Sequence, residues 1–571
     1  MNNYMNRKRS GTSKKLLPAL ICLFLFNSCK NTFDIQPELA LEQSQVYRNV
    51  YDADAAVLGI YGKFVRLADR YIILNELRGD LLDVTSNANA DLKQLSTHTV
   101  QAGNQYADPK PFYEVIINCN DALKNFQEMR SKNLLDENQF YQRYTDVGLI
   151  RSWLYLQLGI HFGEVPFVTD PITNISDLND AAKFPKLTFD QLLEKLIEFA
   201  NTIPAPYLNQ NTSAVSPTLL MPMAPYLLKD GVFKFFIHRR SHIGDLYLWK
   251  GNYLEAAKWY KAVMETGSNL TSTPDFDIQI YDTYRITNDN SGRNTLMSNG
   301  TVNPWKSIFS NLLEESETNR ERMWTLPLNK AFAPYNPFIN LFSASNDYLL
   351  KPSNLAIEHW DNQLRTDGGL TDLRGLDASY RINAGKPEVL KLIPKYNPLT
   401  PYEKNGLWIL YRAAELHLRY AEAANREGRS ELAAALMNDG VKNAFGGKVV
   451  TYNGVPDVAP FDFDPTIGSK NGNWYRSIGI RGRALSQNIP FDKANFDVLD
   501  VENKLLDEAA LETAFEGYRW ADLLRIALRR EKDAPGSGVT FLNEKIAAKF
   551  QASGQGGFKA FTSVKDFYLP F

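Results

Sequence analysis

The stretch Asp245–Val263, with the sequence DLYLWKGNYLEAAKWYKAV, predicts two short helices joined by a tight turn. Apolar residues recur at helical spacing on both sides of the turn, which consists of Gly251-Asn252-Tyr253. Ala256 and Ala257 follow within the first turn of the second helix, where small side chains allow two helices to approach closely. The pattern therefore predicts a closely packed helical hairpin.

A second segment has the same layout. Small residues flank a glycine turn again, with Tyr420–Ala423 before Gly428 and Ala433–Ala435 after it. Both segments resemble tetratricopeptide hairpins, although the two turn glycines are 177 residues apart and do not form a regular tandem array. On pattern alone, two unrelated helical hairpins remain the alternative.

Helical periodicity extends over most of the chain. Apolar residues recur every three to four positions, which predicts helices over 51–67, 112–129, 142–162, 188–203, 243–265, 411–427, 430–443 and 505–530. Turn-forming residues without a clear period fill 80–110, 266–345 and 445–500. These patterns predict a mainly α fold, namely a tetratricopeptide-like helical scaffold with long irregular loops and a few short strands. Because no linker interrupts the composition, we expect one domain over residues 45–571, with parts at about 45–265 and 266–571.

The N-terminus has the layout of a lipoprotein signal peptide. Five basic residues precede the apolar run Leu16–Phe26, which spans about 17 Å as a helix and is too short for a hydrocarbon core of roughly 30 Å. The run is followed by Asn27-Ser28-Cys29, which resembles a bacterial lipobox. We expect cleavage after residue 28, acylation of Cys29 and a tether over residues 29–44. The alternative is an ordinary secreted protein in which Cys29 has no role.

Charge and cysteine content exclude several classes of protein. The 571 residues contain 63 Lys and Arg against 65 Asp and Glu, and loss of residues 1–28 with their five basic residues changes the net charge from −2 to −7. An acidic mature chain argues against nucleic-acid binding, which normally requires a basic excess. Cys22 leaves with the signal and Cys29 is acylated, so Cys119 alone remains and we expect no intramolecular disulfide.

Several motifs resemble a known family when taken in their order along the chain. They are the element ELRGD at Glu76–Asp80, Tyr113–Asn120, Arg151–Tyr155 with Phe162–Phe167, the hairpin around Gly251, RAAELHLRYAEAAN at Arg412–Asn425, ALETAFEGYRWADLLR at Ala510–Arg525, and Tyr568–Phe571. Together they resemble the SusD/RagB family of outer-membrane nutrient-binding lipoproteins. Glu164 departs from the aspartate that is more usual at its position.

The resemblance implies a cellular place and a partner. It implies a lipid-anchored protein on the outer face of a Gram-negative outer membrane, which covers the lumen of a SusC-like TonB-dependent β-barrel. Such proteins capture oligosaccharides, or less often peptides, and pass them to the barrel. The implied function is therefore non-catalytic glycan binding and delivery. The alternatives are a protein-interaction scaffold and a peptide-binding subunit of the same kind of transporter complex.

Candidate ligand residues follow from the chemistry of sugar binding, in which aromatic rings stack on sugar C–H faces and polar side chains pair with hydroxyls. Five tryptophans fall in or beside helical motifs and are expected in the core. The other four lie in or beside irregular segments with polar neighbours. These four give the candidates Trp305, Trp324, Trp360 and Trp474, with Tyr475 beside Trp474. The family resemblance implies further candidates in the loop after the ELRGD element, namely Asn87, Asn89 and Asp91, with Tyr106 further on. Loop packing or transporter contact is the alternative for each.

Catalytic and metal-binding chemistry finds little support in the sequence. No nucleophile elbow, P-loop or dinucleotide fingerprint occurs, although a glycosidase needs only two carboxylates and no short motif. The acids of the 512–525 segment are expected in ion pairs, Glu516 with Arg519 and Asp522 with Arg525 or Arg519. His238 and His242 have i,i+4 spacing but flank two arginines, which disfavours a metal. We expect no cofactor, with a structural Ca²⁺ near Asp457, Asp462 and Asp464 as a weaker alternative.

Overall fold

The structure is a computed structural model that describes residues 46–172, 183–203, 235–264, 304–310, 321–329, 334–463, 479–554 and 556–571. The predicted signal peptide, Cys29, the 29–44 tether, Asp464, Trp474 and Tyr475 lie outside these residues.

Helices form most of the described regular structure. The N-terminal half contains α1 (Val50–Phe64), α2 (Ala68–Ile72), α3 (Ala90–Ser96), α4 (Lys110–Ser131), α5 (Glu137–Phe162), α6 (Phe189–Thr202), α7 (Arg239–Lys250) and α8 (Tyr253–Met264). The C-terminal half contains α9 (Pro304–Ser310), α10 (Phe338–Phe342), α11 (Asn354–Asp361), α12 (Ala413–Arg426), α13 (Ser430–Met437), α14 (Val441–Ala444), α15 (Ile480–Arg483), α16 (Val498–Glu512), α17 (Arg519–Asp533) and α18 (Ser537–Ser553). The predicted mainly α class is confirmed.

The two predicted hairpins pack against each other. Gly251 ends α7 in the left-handed conformation with φ +81°, and Gly428 adopts φ +79° between α12 and α13. Helix α8 packs against α12, so hairpins 177 residues apart in sequence are neighbours in space. Contacts also join α4 to α5, α5 to α6, α6 to α7, and α7 to α8, which gives a stack of neighbouring helices.

The strands are short and pair in twos. Within the described residues the antiparallel pairs are β1 (Leu82–Val84) with β5 (Leu350–Pro352), β2 (Val165–Pro166) with β3 (Lys186–Leu187), β4 (Arg322–Leu328) with β8 (Gly406–Arg412), β6 (Tyr380–Asn383) with β7 (Lys386–Val389), and β9 (Thr451–Tyr452) with β10 (Val455–Pro456). In β4–β8, Trp324 lies opposite Tyr411 and Arg322 opposite Arg412. The helix predicted from residue 411 therefore begins two residues later.

Two predicted helices are interrupted by backbone that cannot remain helical. The helix predicted over 505–530 is two helices, α16 and α17, separated by Thr513–Tyr518. Phe515 and Gly517 in this break have φ +70° and +94°, which is outside the right-handed helical region. The helix predicted over 430–443 is likewise broken before α14, where Gly440 has φ +89°.

A shared hydrophobic core joins both halves of the chain. One continuous cluster of buried side chains runs from Ala53 in α1 to Leu569 near the C-terminus. Within the segments that the structure covers, no helix combines enough length with enough apolar character to cross a bilayer.

Candidate ligand-binding face

Three of the predicted ligand residues come together at the N-terminal end of α3. The Asn89 Oδ1 accepts a hydrogen bond from the Leu92 amide at 2.9 Å, which caps the helix. Its Nδ2 donates to the Tyr106 hydroxyl at 3.3 Å. Asp91 Oδ2 accepts from the backbone amide and the side-chain amide of Gln105 at 3.2 and 3.1 Å. Local capping thus places amide, carboxylate and phenol groups side by side.

The loop that carries Tyr106 is held by hydrogen bonds to the side chain of Arg70. Its Nη1 donates to the carbonyl oxygens of Gln105 at 2.7 Å, Tyr106 at 2.5 Å and Asp108 at 3.3 Å. Three backbone acceptors on one guanidinium fix the path of the loop, so the Tyr106 ring is half-buried while Asn89 stays exposed. Rigid support of this kind favours ligand binding because little ordering entropy is lost.

Asn87 connects this group to a distant part of the chain. Its Nδ2 donates to the Asp347 carbonyl at 2.9 Å, and the Thr85 amide donates to the Leu349 carbonyl at 2.9 Å. Asn87 is exposed. We call Asn87, Asn89, Asp91 and Tyr106 the 87–106 patch; Asn87 and Asn89 are exposed, and Asp91 and Tyr106 are half-buried.

Two exposed tyrosines that were not predicted from the sequence lie on segments that hydrogen bonds connect to the patch. The ring of Tyr335 is 49% exposed and that of Tyr402 is 66% exposed. The backbone amide of Asn336 donates to the Lys404 carbonyl at 3.2 Å, and Lys404 Nζ lies 5.6 Å from the centroid of the Tyr335 ring. We call Tyr335, Tyr402 and Lys404 the tyrosine face. Their position in irregular segments among prolines, asparagines and lysines is the signal in the sequence that could have identified them.

Hydrogen bonds join the tyrosine face to the 87–106 patch through intervening segments. Asn336 Nδ2 donates to the Leu392 carbonyl at 3.1 Å, and Asn346 Nδ2 donates to the Tyr396 hydroxyl at 2.8 Å. Asn346 precedes Asp347, which binds Asn87. The segments 334–349 and 390–404 are therefore tied to one another and to the patch.

Three predicted stacking residues are core residues instead. The exposures of Trp305, Trp324 and Trp360 are 0%, 2% and 0%, so their rings offer no open face to a sugar. Trp324 stacks on Phe64 at 5.7 Å and donates to the Phe235 carbonyl at 3.0 Å. The expectation of exposed rings at these three positions is corrected by the structure.

Trp360 is held in the same way as Trp324, by a stacked ring and an acceptor for its N–H. Trp360 stacks on Tyr380 at 5.6 Å and its Nε1 donates to the Leu511 carbonyl at 3.2 Å. Trp305 packs edge-on against Phe309 at 5.6 Å. Nε1 of Trp305 has no acceptor among the described residues, so packing alone holds this ring. Trp324 and Trp360 pack inward because the core provides both an apolar pocket and an acceptor for the N–H.

The acids around residue 512 form a buried ion network. Glu512 pairs with Arg374 at 2.9 Å, with Arg412 at 2.7 Å and with Arg483, and all four side chains are almost fully buried. Burial alone would raise the pKa of Glu512, but these three guanidinium groups outweigh burial and hold it well below its usual value. Glu516 binds Lys391 and Arg412, both at about 2.6–2.7 Å, so its predicted pairing with Arg519 is wrong. Asp522 does pair with Arg525, at 2.8 Å.

Another buried acid, Glu415, has a raised pKa, but the cavity beside it has no room for a substrate. Burial raises the pKa of Glu415 to about 8, although Arg419 opposes the shift. Glu415 and Asp522 line a cavity of about 30 Å³, which holds about one water molecule. A sugar ring cannot enter it, so this pair of carboxylates has no access to a glycosidic bond.

The candidate metal residues have other partners. His238 caps α7, and His242 Nε2 lies 2.8 Å from Ser152 Oγ in the core. Asp457 pairs with Arg429 at 3.2 Å, and Asp462 pairs with Lys261. In the described part of the chain no group of three or more His, Cys, Asp or Glu side chains is arranged to hold a metal ion.

Comparison with known proteins shows which proteins this chain is similar to. No family model matches the chain. It is 21% identical over 555 residues to a SusD-like protein of Formosa agariphila, covering 91% of this chain and 92% of that protein. A SusD superfamily protein of Bacteroides thetaiotaomicron superposes with a TM-score of 0.59 at 18% identity, covering 89% of this chain and 97% of the other.

The chain has a SusD-like fold. A further structure, a SusD-like carbohydrate binding protein of Bacteroides fragilis, superposes with a TM-score of 0.55 at 13% identity over 92% of this chain and 97% of the other. The resemblance that the ordered motifs indicated is thereby confirmed. Coverage of about nine-tenths or more of both chains means that the similarity in fold extends over most of the length of each protein.

Proposed function

We propose that this SusD-like chain is a surface lipoprotein of the outer membrane that binds a glycan without cleaving it. The exposed rings of Tyr335 and Tyr402, on segments that hydrogen bonds connect to the amide and carboxylate groups of the 87–106 patch, carry the proposal. An exposed ring offers an apolar surface to a sugar face, and the neighbouring polar groups offer donors and acceptors to its hydroxyls. The Bacteroides fragilis relative, described as a carbohydrate binding protein, supports a sugar as the ligand.

The positions of the buried carboxylates support binding without a chemical step. The acids of the 508–522 segment are buried and paired with arginine or lysine, as in the pair of Arg374 with Glu508 at 2.7 Å. Inverting or retaining hydrolysis needs one protonated and one ionised carboxyl group across an accessible bond. Half-buried Asp91 instead accepts a hydrogen bond from the Gln105 side chain. Affinity would come from stacking and hydrogen bonds alone, so we expect a modest dissociation constant.

Membrane attachment and delivery form the second part of the proposal. Acylation of Cys29 would anchor the chain, with residues 29–44 as a tether, and a SusC-like TonB-dependent barrel would receive the glycan. Mass spectrometry of the N-terminal peptide tests the anchor, since acyl chains on Cys29 are expected and Cys29→Ala should release the protein from membranes. Co-purification of a barrel from the native host tests the partner.

A protein-interaction scaffold is the competing proposal, favoured by the packed hairpins α7–α8 and α12–α13. Helical repeat stacks present extended surfaces to protein ligands. The two proposals separate in one titration of the purified mature chain with oligosaccharides and with peptides. Saturable glycan binding with recovery of intact sugar supports the first, whereas peptide binding alone supports the scaffold.

A further inference from the structure

A cleft of about 730 Å³ opens beside the last residues of the chain, and no part of the proposed glycan face uses it. Its volume lies within the range of small-molecule sites, roughly 300–1,000 Å³. Helix α3 separates it from the 87–106 patch, since Asn89 caps one end of the helix and His98, just past the other end, lines the cleft. Seven helical residues correspond to about 10 Å, so the two sites are distinct.

Arg78 forms the buried base of this cleft and has no carboxylate partner among the described residues. Its Nη1 donates to Nδ1 of His161 at 3.2 Å, and its Nη2 donates to the Phe567 carbonyl at 2.5 Å. The guanidinium also lies 4.0 Å from the ring centroid of Trp520. Because burial removes water and no acid replaces it, the pKa of Arg78 falls to about 9.

Two donors at this base lack acceptors in the part of the chain that the structure describes. Arg78 Nε is one of them. Since Nδ1 of His161 accepts from Arg78, the ring proton must lie on Nε2, which also has no partner. Unpaired buried donors are costly, and an unpaired buried cation more so. Arg78 lines the cleft, so a negative charge bound there would relieve the deficit at its guanidinium.

Exposed lysines add positive charge at the mouth. Lys186, Lys559 and Lys565 line the cleft and are exposed, whereas its acids are Glu164 and Asp566. The lining side chains thus carry four positive charges against two negative ones. This excess opposes the net negative charge of the chain as a whole. A locally positive cleft attracts anions and concentrates them at its mouth.

Aromatic rings complete the lining. Phe162, Phe189, Tyr568 and Phe571 contribute apolar surface, and Lys186 Nζ lies 4.5 Å from the centroid of Phe571. Cations beside open aromatic faces suit a ligand that carries both an anionic group and an apolar ring face.

We propose that this cleft binds the oxyanion of an acidic saccharide, either a uronate carboxylate or a sugar sulfate. Arg78 supplies the buried charge, and Lys186 and Lys565 supply the charge at the mouth. The saccharide part rests on the proposed function, whereas the oxyanion part rests on the cleft itself. The site gives the protein a means to prefer acidic glycans over neutral ones.

Calorimetric titration of the full mature chain at low ionic strength tests the proposal with three probes: digalacturonate, inorganic sulfate and the neutral disaccharide lactose. We expect saturable binding of digalacturonate, weaker binding of sulfate, and binding of lactose at least ten-fold weaker than that of digalacturonate. Added salt should weaken the binding of digalacturonate because the lysines are exposed. The double reversal Lys186→Glu/Lys565→Glu should weaken it at least ten-fold, since both side chains are exposed and their change should leave folding intact.

Lys442→Glu is the matched control, an exposed lysine remote from the lining residues, and should leave digalacturonate binding unchanged. If neither digalacturonate nor sulfate saturates, the oxyanion site is wrong. If sulfate binds but digalacturonate does not, or if the double reversal behaves like the control, the acidic-saccharide site is wrong. Tyr335→Ala/Tyr402→Ala keeps the two proposals distinguishable, because it should weaken neutral glycans and spare sulfate.

Discussion

Arg519 and Asp80 form a buried bidentate ion pair, with Nε–Oδ1 and Nη2–Oδ2 distances of 2.6 and 2.7 Å, across 439 residues of sequence. Asp80 ends the ELRGD element, and Arg519 begins α17 within the EGYRWADLLR motif. The Glu76 carboxylate also accepts the backbone amides of Gly517 at 2.7 Å and Tyr518 at 3.0 Å. The two motifs that most clearly indicate the family therefore bind each other, and their shared role is structural.

Breaking this pair should destabilise the fold strongly. Burial alone would raise the pKa of Asp80, but Arg519 outweighs burial and holds it at about 2, so Asp80 is ionised at neutral pH. Arg519→Met leaves that charge buried and unpaired, which should lower the free energy of unfolding by about 3–5 kcal/mol. Urea denaturation followed by circular dichroism measures the change.

An exposed pair provides the control for that experiment. Lys195 and Glu198 lie 2.9 Å apart with side chains 55% and 67% exposed. Lys195→Met should change the free energy of unfolding by no more than about 0.5 kcal/mol. Equal effects of the two substitutions would show that the Arg519–Asp80 pair is not a structural anchor.

Gly517 should tolerate no side chain. Its φ is +94°, and a Cβ would lie 2.1 Å from Cε1 of Tyr71, which is buried in the core. Gly517→Ala therefore combines backbone strain with a steric clash, and we expect a loss of more than about 2 kcal/mol. Gly536 has a similar φ of +89° with open space around the Cβ position. Gly536→Ala should lower the free energy of unfolding by only about 1 kcal/mol. Thermal denaturation measures both variants. An equal loss of stability at the two sites would exclude the clash with Tyr71.

Asp146 should make stability fall as the pH rises. It is buried, its Oδ1 accepts from the Tyr61 hydroxyl at 2.8 Å, and burial raises its pKa from 3.8 to about 8. Between these two pKa values the folded protein keeps a proton on Asp146 that the unfolded chain releases. The free energy of unfolding therefore falls as the pH rises through this window, by on the order of 1 kcal/mol per pH unit. Asp146→Asn should flatten the dependence of melting temperature on pH between 5 and 8.

Asp190→Asn, at a side chain 73% exposed, should keep the wild-type dependence and serves as control. A flattened curve in the control, or an unchanged curve for Asp146→Asn, would contradict the assignment.

Substitution of a buried aromatic residue should reduce stability, whereas substitution of an exposed one should not. Trp360 is fully buried, so Trp360→Ala should cost about 3–5 kcal/mol through the cavity that it leaves. Tyr402→Ala should leave the melting temperature within about a degree of wild type because its ring is 66% exposed. Thermal denaturation of both variants checks the difference, and a large loss at Tyr402 would show that its ring supports the fold.

The sequence predicts well where local pattern decides the structure. The helix predicted over 188–203 is α6, with Thr188 as its cap through a hydrogen bond from the Gln191 amide. The turn at Gly251 and the capping role of Asn89 also follow from residues within a few positions. Asn89, Asp91 and Tyr106 come together because a single short helix and its flanking loop hold them.

The predictions from the sequence fail where contacts between distant residues decide the structure. Nothing within 505–530 shows that Glu76 will accept the amides of residues 515–519 and stabilise a break in the helix. Tyr411 lies in a strand because Trp324 pairs with it across the sheet. Trp360 lies in a polar neighbourhood in sequence, yet its ring packs on Tyr380 and its N–H binds Leu511. Such pairings depend on the whole fold and leave no local signal.

The central claim is non-catalytic glycan binding at the tyrosine face, and one experiment tests it most directly. The purified mature chain is titrated with a panel of oligosaccharides by calorimetry, and the sugar is recovered from each cell for chromatography. We predict saturable binding of at least one glycan, at least ten-fold weaker binding in Tyr335→Ala/Tyr402→Ala, and recovery of the glycan at its original length. Absence of binding to every glycan, unchanged affinity in the double variant, or shortened products would contradict the claim.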